Sequence, residues 1–475
     1  MIHQYKSNGY NIVLDVESGL VHVTDEMAYD AIMQLNEELS KKYESISNIS
    51  AEEVVNAINK IKTSNQNNIL SKYRDEKLEK VWNDIESLVM EGKLFSPDVY
   101  KDYINELSMQ DSIVKALCFH VAHDCNLACK YCFADEGEYQ GKRELMSLEV
   151  GKKALDFLVS NSGNRHNLEI DFFGGEPLMN WQVVKDIVVY GRQIEKKYKK
   201  NFRFTLTTNG VLLDDEVMKF ANLEMDNVVL SLDGRKEIND KMRPTINGKG
   251  SYDVVVPKFQ KFVKNRKDKD YFIRGTFTKD NLDFTNDVLH FVELGFKQIS
   301  IEPVVTKDED KYAIDQESLE IVFNEYDNLA KEMVKRQGSS DEFNFFHFSI
   351  DLDGGPCVAK RLSACGAGYE YLAVTPSGDL YPCHQFVGHD EFLLGNVNEG
   401  IIKPEIQMEF RNCNVYSKNQ CVECFAKFYC SGGCMANSYD FHGNINKIYE
   451  IGCEMMKKRV ECAIMLKIAK LMQED

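Results

Sequence analysis

The chain has 475 residues, a formal charge of −18 and 43% hydrophobic residues. That charge argues against a nucleic-acid surface, where phosphate contacts need clustered Lys and Arg. No stretch approaches the roughly 20 apolar residues of a membrane span, and the start, Met1-Ile-His-Gln-Tyr-Lys, has no apolar signal core. The expectation is a cytoplasmic protein of two or three domains that binds neither nucleic acid nor membrane.

In chain order, residues 11–16 and 20–23 are short β-rich runs joined by Glu17-Ser18-Gly19, a hairpin signal. Thr24 or Asp25 then caps a helix running to about Leu39. Ser50 with Glu53 forms a capping box opening a second helix, and Asp75 to Met90 reads as a third, ended by Gly92. Residues 1–95 therefore form a small unit that resembles a winged helix. From about Ala116 strand and helix alternate. Strands are predicted over 117–122, 168–173, 202–207, 228–232, 271–276 and 298–303, with amphipathic helices over 148–159, 182–198, 214–221, 252–263 and 285–294. Six such units imply a parallel sheet, curled or closed into a barrel across residues 110–310, with working residues at the C-terminal strand ends. An acidic helical bridge, 311–355, leads to short hairpins such as Tyr371–Tyr381 in a cysteine-rich region, 356–475. Metal, rather than a large apolar core, is expected to hold that last region.

Fourteen cysteines are many for a reducing compartment, and none precedes Cys118. Cys125, Cys129 and Cys132 follow the first barrel strand as CxxxCxxC. They are one ligand short of a closed four-ligand site, which suggests a position kept open for chemistry, with Tyr131 as an apolar ring beside it. Gly174-Gly175-Glu176-Pro177 closes the next strand; its glycines allow close backbone approach to a ligand, and Glu176 can accept from an ammonium group. Asn209 ends the third strand, Ser231 the fourth, and Arg274 in the fifth could reach a carboxylate. In the C-terminal region Cys365 and Cys383 flank Gly378, and Cys421-x2-Cys424-x5-Cys430-x3-Cys434 is followed after eighteen residues by Cys453. Zinc ribbons share the CxxC pairs, but seven cysteines exceed one zinc site. Cys118, Cys413 and Cys462 read most simply as buried, inert thiols.

Residues 115–305, with the CxxxCxxC triplet, the GGEP turn and the strand-end motifs, closely resemble the radical S-adenosylmethionine (SAM) superfamily. The resemblance implies a partial (β/α)6 barrel in which Cys125, Cys129 and Cys132 hold three irons of a [4Fe–4S] cluster. SAM would bind the fourth iron. Gly175 and Glu176 would meet its methionine amine, Asn209, Ser231 and Arg274 its ribose or carboxylate, with Gly174 and Tyr131 as further cofactor-binding residues. Cleavage of SAM then gives a 5′-deoxyadenosyl radical that abstracts substrate hydrogen. The C-terminal spacing resembles the SPASM domain with two auxiliary [4Fe–4S] clusters. One would take Cys421, Cys424, Cys430 and Cys453. The other would take Cys365, Cys383 and Cys434, with Cys357 or a substrate thiol as its fourth ligand.

The N-terminal unit resembles the recognition element of enzymes that modify ribosomally made peptides, in which a leader adds as a strand. The strings from Cys118 to Asp124 and from Asp379 to Phe386 resemble the thioether-forming maturases of SCIFF peptides, which are Cys-rich precursors. This implies an oxidoreductase that joins a Cys sulfur to a Thr carbon and draws on a reducing electron donor. The alternatives are a sulfatase-maturase-like enzyme that makes formylglycine, and a non-catalytic zinc protein that binds peptides. Sulfatase maturases carry an Asp base at the position of His384, which could itself act as base.

Overall fold

A computed structural model describes residues 1–475 other than 44–48, 64–68, 105–111, 140, 308, 351, 353–360 and 475. The N-terminal unit is an antiparallel sheet in the order β1 (Ile2–Ser7), β2 (Tyr10–Asp15), β3 (Val21–Thr24), followed by helices α1 (Glu26–Lys42), α2 (Ala51–Thr63) and α3 (Asp75–Met90). Local chemistry sets the helix starts. The Asp25 carboxylate accepts from Ala28 N at 2.8 Å. Ser50 and Glu53 form the reciprocal box, with Ser50 N–Glu53 Oε2 at 3.0 Å and Glu53 N–Ser50 Oγ at 3.3 Å. Val13, Ile32, Leu35, Ile58 and Trp82 build a core separate from that of the rest of the chain.

The main sheet begins with β4 (Ala116–His123), against which the two-residue β5 (Glu144–Leu145) pairs antiparallel. β6 (Asn167–Gly174), β7 (Asn201–Thr208), β8 (Asn227–Ser231), β9 (Asp270–Phe277) and β10 (Gln298–Pro303) follow, each parallel to the one before, from β4 through β6 to β10. Helices α4 (Leu148–Asn161), α5 (Trp181–Tyr198), α6 (Asp215–Glu224), α7 (Lys236–Met242), α8 (Tyr252–Arg266) and α9 (Phe284–Glu293) form the connections. On β6, Leu168, Ile170 and Phe172 are fully buried and alternate with less buried residues, which is the period of a sheet covered on one face by helices. The sheet is an open arc, since β10 pairs with β9 and the short β11 (Asn344–Phe345) rather than returning to β4.

On the other side of β4 the sheet continues. β12 (Tyr371–Val374) runs parallel to β4, with Leu372 opposite Leu117, and β13 (Asp379–Tyr381), β14 (Gly395–Asn396) and β15 (Gly400–Ile401) add antiparallel. Leu372, Val374, Phe386 and Phe410 belong to the same apolar core as the barrel. The expectation of a terminal region held by metal in place of an apolar core is thus corrected: it shares the barrel's core. Helix α10 (Leu319–Arg336) packs on the C-terminal helix Glu450–Glu474. Among the described residues no helix is long and apolar enough to cross a membrane.

Candidate functional site

The triplet loop leaves the C-terminal end of β4 and is pinned from two sides. Ala128 N donates to Pro244 O at 2.8 Å and Lys130 N to Met242 O at 2.9 Å, so the loop is laced to the segment after α7. That segment carries Arg243, whose Nη1 donates to the Tyr131 hydroxyl at 2.8 Å; the hydroxyl in turn donates to Asp233 Oδ2 at 2.6 Å. Asp233 is fully buried, and its Oδ1 accepts from Thr276 N at 3.1 Å. Tyr131 is therefore corrected from an apolar wall to a hydroxyl held between a guanidinium and a carboxylate.

The GGEP turn is strapped to the same strand end. Gly175 N donates to Ala122 O at 2.8 Å and Glu176 N to Asp124 O at 2.9 Å. A Cβ on Gly175 would lie 2.2 Å from Asp124 O, and one on Gly174, whose φ is +121°, would lie 2.4 Å from Ala122 O. The close approach that demands these glycines is thus backbone to backbone. Glu176 is also corrected. It is fully buried, and its carboxylate accepts from Leu178 N at 2.9 Å, Thr208 Oγ1 at 2.7 Å and Asn209 N at 2.7 Å. It joins the ends of β6 and β7 and offers no open face to an ammonium. Asn209 reaches the triplet loop, its Nδ2 donating to Asn126 Oδ1 at 2.7 Å and lying 3.8 Å from Cys125 Sγ.

Burial raises the Cys125 thiol to about 12 and the Cys129 thiol to about 11. Cys129 and Cys132 add to the shift at Cys125; at Cys129, Arg243 opposes it while Asp233 and Cys132 add to it. Such thiols ionise near neutral pH only when a cation takes their charge, as a coordinated metal does. Three half-buried thiols on one short loop, with the Arg243 guanidinium beside Cys129, therefore fit the corner of an iron–sulfur cluster. Arg274 is not the cation here. It is half exposed, opposite Ser231 in register, and pairs with Glu302 Oε2 at 3.0 Å.

The other cysteines gather into two groups. Burial raises Cys383, with Cys434 and Cys365 adding to the shift. Burial lifts Cys453 to about 12 and Cys430 to about 11, with Cys421 and Cys424 contributing to both. These four line one cavity of about 100 Å³. Among the described residues no three His, Cys, Asp or Glu side chains close around a single ion. Cys118, Cys413 and Cys462 are buried outside these groups. Cys357 lies outside the described residues.

Between the triplet and Cys383 lies an aromatic bridge. Phe133, directly after Cys132, is 57% exposed, with its ring 5.7 Å from that of His384, and Phe173 is 5.1 Å from His384 on β6. Burial holds His384 down to about 4, with Arg274 acting in the same direction, so the ring is neutral. Sequence reasoning missed Arg243, and missed Asp233 as its partner. A lone Arg before Pro244 has no periodic or motif signal; only the lacing of the loop to residues 242–244 brings it to the triplet.

Residues 120–282 match the family model described as the radical SAM superfamily. The cysteine-type anaerobic sulfatase-maturating enzyme of Clostridium novyi is 25% identical over 71% of this chain and 92% of its own. A solved structure of anSMEcpe with bound AdoMet superposes with a TM-score of 0.62 at 21% identity, covering 75% of this chain and 99% of that one. Streptococcus suis SuiB, solved with its precursor peptide SuiA, superposes with a TM-score of 0.50 at 16% identity, over 94% of this chain and 97% of its own. The likeness to the radical SAM superfamily thus spans residues 120–282, the segment that carries the triplet, the GGEP turn and Arg243.

Proposed function

We propose that this chain is a radical SAM maturase that forms a thioether between a Cys sulfur and a Thr carbon of a ribosomally made, Cys-rich precursor peptide of the SCIFF type. The observation that carries the reading is the grouping of ten thiols into three sets, one of three beside Arg243, another of three and one of four. Ten thiols in three sets are more than one zinc ion takes, which counts against the non-catalytic zinc reading.

Cys125, Cys129 and Cys132 would hold the [4Fe–4S] cluster that binds SAM. Cys421, Cys424, Cys430 and Cys453 would hold one auxiliary cluster, and Cys365, Cys383 and Cys434 another. With a reducing donor, the first cluster and SAM supply a 5′-deoxyadenosyl radical able to take hydrogen from an unactivated carbon. The protein's own part is placement. Arg243, fixed by Tyr131 and Asp233, is the cation suited to the SAM carboxylate. The Gly174-Gly175 backbone forms the rim beside the triplet. Phe133, Phe173 and His384 wall the space between the triplet and Cys383, where a substrate residue would be held away from water. The leader would add to β3. The β1 edge is occupied, since the His3 ring stacks on Phe425 at 3.5 Å and the Tyr5 hydroxyl donates to Glu461 O at 2.9 Å. β3 is the opposite edge and bears Val23 at 38% exposure.

The rival reading, formylglycine formation, is favoured by the likeness to sulfatase-maturating enzymes. His384 counts against it, because it stands where those enzymes carry an Asp base. Anaerobic incubation with reductant, SAM and a Cys-rich precursor distinguishes the two. Thioether formation gives a peptide two hydrogens lighter, with one thiol fewer to alkylate. SAM cleavage that leaves the peptide mass unchanged sinks the proposal, and an aldehyde in place of the thiol installs the rival.

A further inference from the structure

We infer that Lys418 is the buried countercharge of the iron–sulfur group held by Cys421, Cys424, Cys430 and Cys453, a positioning residue whose ammonium raises that group's reduction potential. This rests on the reading of the C-terminal thiols as cluster ligands and is independent of which bond the enzyme forms. Lys418 spans two ligand-bearing turns. Its carbonyl accepts from Cys421 N at 2.9 Å, and its Nζ donates to Gly432 O at 2.8 Å, in the turn between Cys430 and Cys434. Gly432 borders the cavity of about 100 Å³ that the four thiols line. The side chain thus runs from the turn of the first thiol in the set to the backbone beside the third.

Lys418 is 1% exposed, and an ammonium taken out of water needs an anion beside it. Lys427, as deeply buried, has two, Glu17 and Asp98. Among the described residues no carboxylate pairs with Lys418. The Gly432 carbonyl takes one of its three N–H groups and brings no charge. The ammonium acts instead on Cys421 and Cys430, whose thiols burial raises against its opposing pull. As protonated thiols they would leave the ammonium uncompensated. Bound to iron they are thiolates, and the set supplies the missing anion. The compensation has a redox consequence. One electron from the reducing donor adds one negative charge to the cluster, with no bond made or broken and no proton taken up. A fixed cation beside it therefore stabilises the reduced form more than the oxidised one, and burial leaves that preference little screened by salt.

The test is a redox titration of the full, iron-loaded chain with dithionite, followed by EPR so that each cluster is read by its own signal. In Lys418→Met one cluster should become harder to reduce. Its equilibrium constant for one-electron reduction falls about tenfold, a shift of about 59 mV to lower potential. Lys418→Arg, which keeps the charge, stays near wild type. Lys418→Gln, which keeps a donor for Gly432 O without the charge, shifts as Lys418→Met does; a wild-type potential in it would mean a structural tie only and overturns the inference. Unchanged potentials in Lys418→Met overturn it as well. If the uncharged variants lose about four irons per chain, retention by Lys418→Arg supports the countercharge, and loss from Lys418→Arg too overturns it. Wild-type protein with no more than about four irons per chain would instead overturn the cluster reading of the C-terminal thiols.

Discussion

Around the triplet, several side chains expected to touch a ligand instead hold the strand ends together. Gly175 is the sharpest case, since the atom that a methyl group would strike is a backbone oxygen of Asp124 in the same loop system as Cys125. Gly175→Ala should therefore displace the triplet and cost the protein one cluster, about four irons per chain, while the C-terminal thiol sets keep theirs. Retention of all the iron would refute that. Asp171 is a second informative residue. Burial raises its carboxyl to about 6, against the Thr205 hydroxyl. The unfolded value is about 3.9, so over roughly pH 4 to 6 the native state binds more protons than the unfolded one. Stability then falls as pH rises through that window and stays lower above it, by up to about 3 kcal/mol. Asp171→Asn should flatten the decline. Thermal melts of loaded protein at pH 5 and 7 check this, and equal losses in both proteins would contradict it. At this scale spacing singled out the ten thiols as candidates, because their intervals are visible in the chain itself. It was silent on Arg243 and Lys418, single cations whose partners are brought to them only by the fold.

Among the elements, the barrel strands and helices were legible because each satisfies its own local rules. The six strands lie within a residue or so of their expected limits, and α1, α2, α4 and α6 start at side-chain caps from Asp25, Ser50, Ser147 and Asp214. β1 was not legible. His3-Gln-Tyr-Lys6 has no apolar alternation, and its partners are β2, Phe425 and Glu461. β12 was read as a hairpin arm, and its pairing with β4, about 250 residues earlier in the chain, has no local signal. The strand on which the proposed leader docking rests is β3, the edge opposite β1. Val23→Asp places a charge on the exposed face of that edge, where an added strand would set its own side chains. Affinity for a leader-bearing precursor should fall about tenfold, with SAM cleavage in the absence of peptide unchanged. Binding at wild-type strength would remove β3 as the docking edge.

Across the whole molecule, the N-terminal unit is fixed to the cysteine-rich region by a buried ion cluster. Lys427 lies between Cys424 and Cys430 in sequence. Its Nζ is 3.0 Å from Glu17 in the β2–β3 turn and 3.5 Å from Asp98 in the segment after α3, with Lys427 and Glu17 fully enclosed. The Tyr416 hydroxyl also donates to Asp98, at 2.7 Å. Deleting the N-terminal unit would strip Lys427 of Glu17 and Glu17's surroundings, so its effects could not be assigned to leader binding alone; the single change on β3 avoids this. A buried pair adds little net stability, but removing one member strands the other's charge at a cost of about 3–5 kcal/mol. Lys427→Met should therefore lower stability by that order, leaving Asp98 without its cation and Glu17 with only the Met1 ammonium, 3.9 Å away. Adding Glu17→Gln to Lys427→Met removes one stranded charge, so the double variant should be more stable than the sum of the two single losses. Denaturation of the four proteins measures the coupling. If the two losses add, the contact between the N-terminal unit and the cysteine-rich region does not depend on this charge, and the rigid link it would give the proposed leader site fails with it.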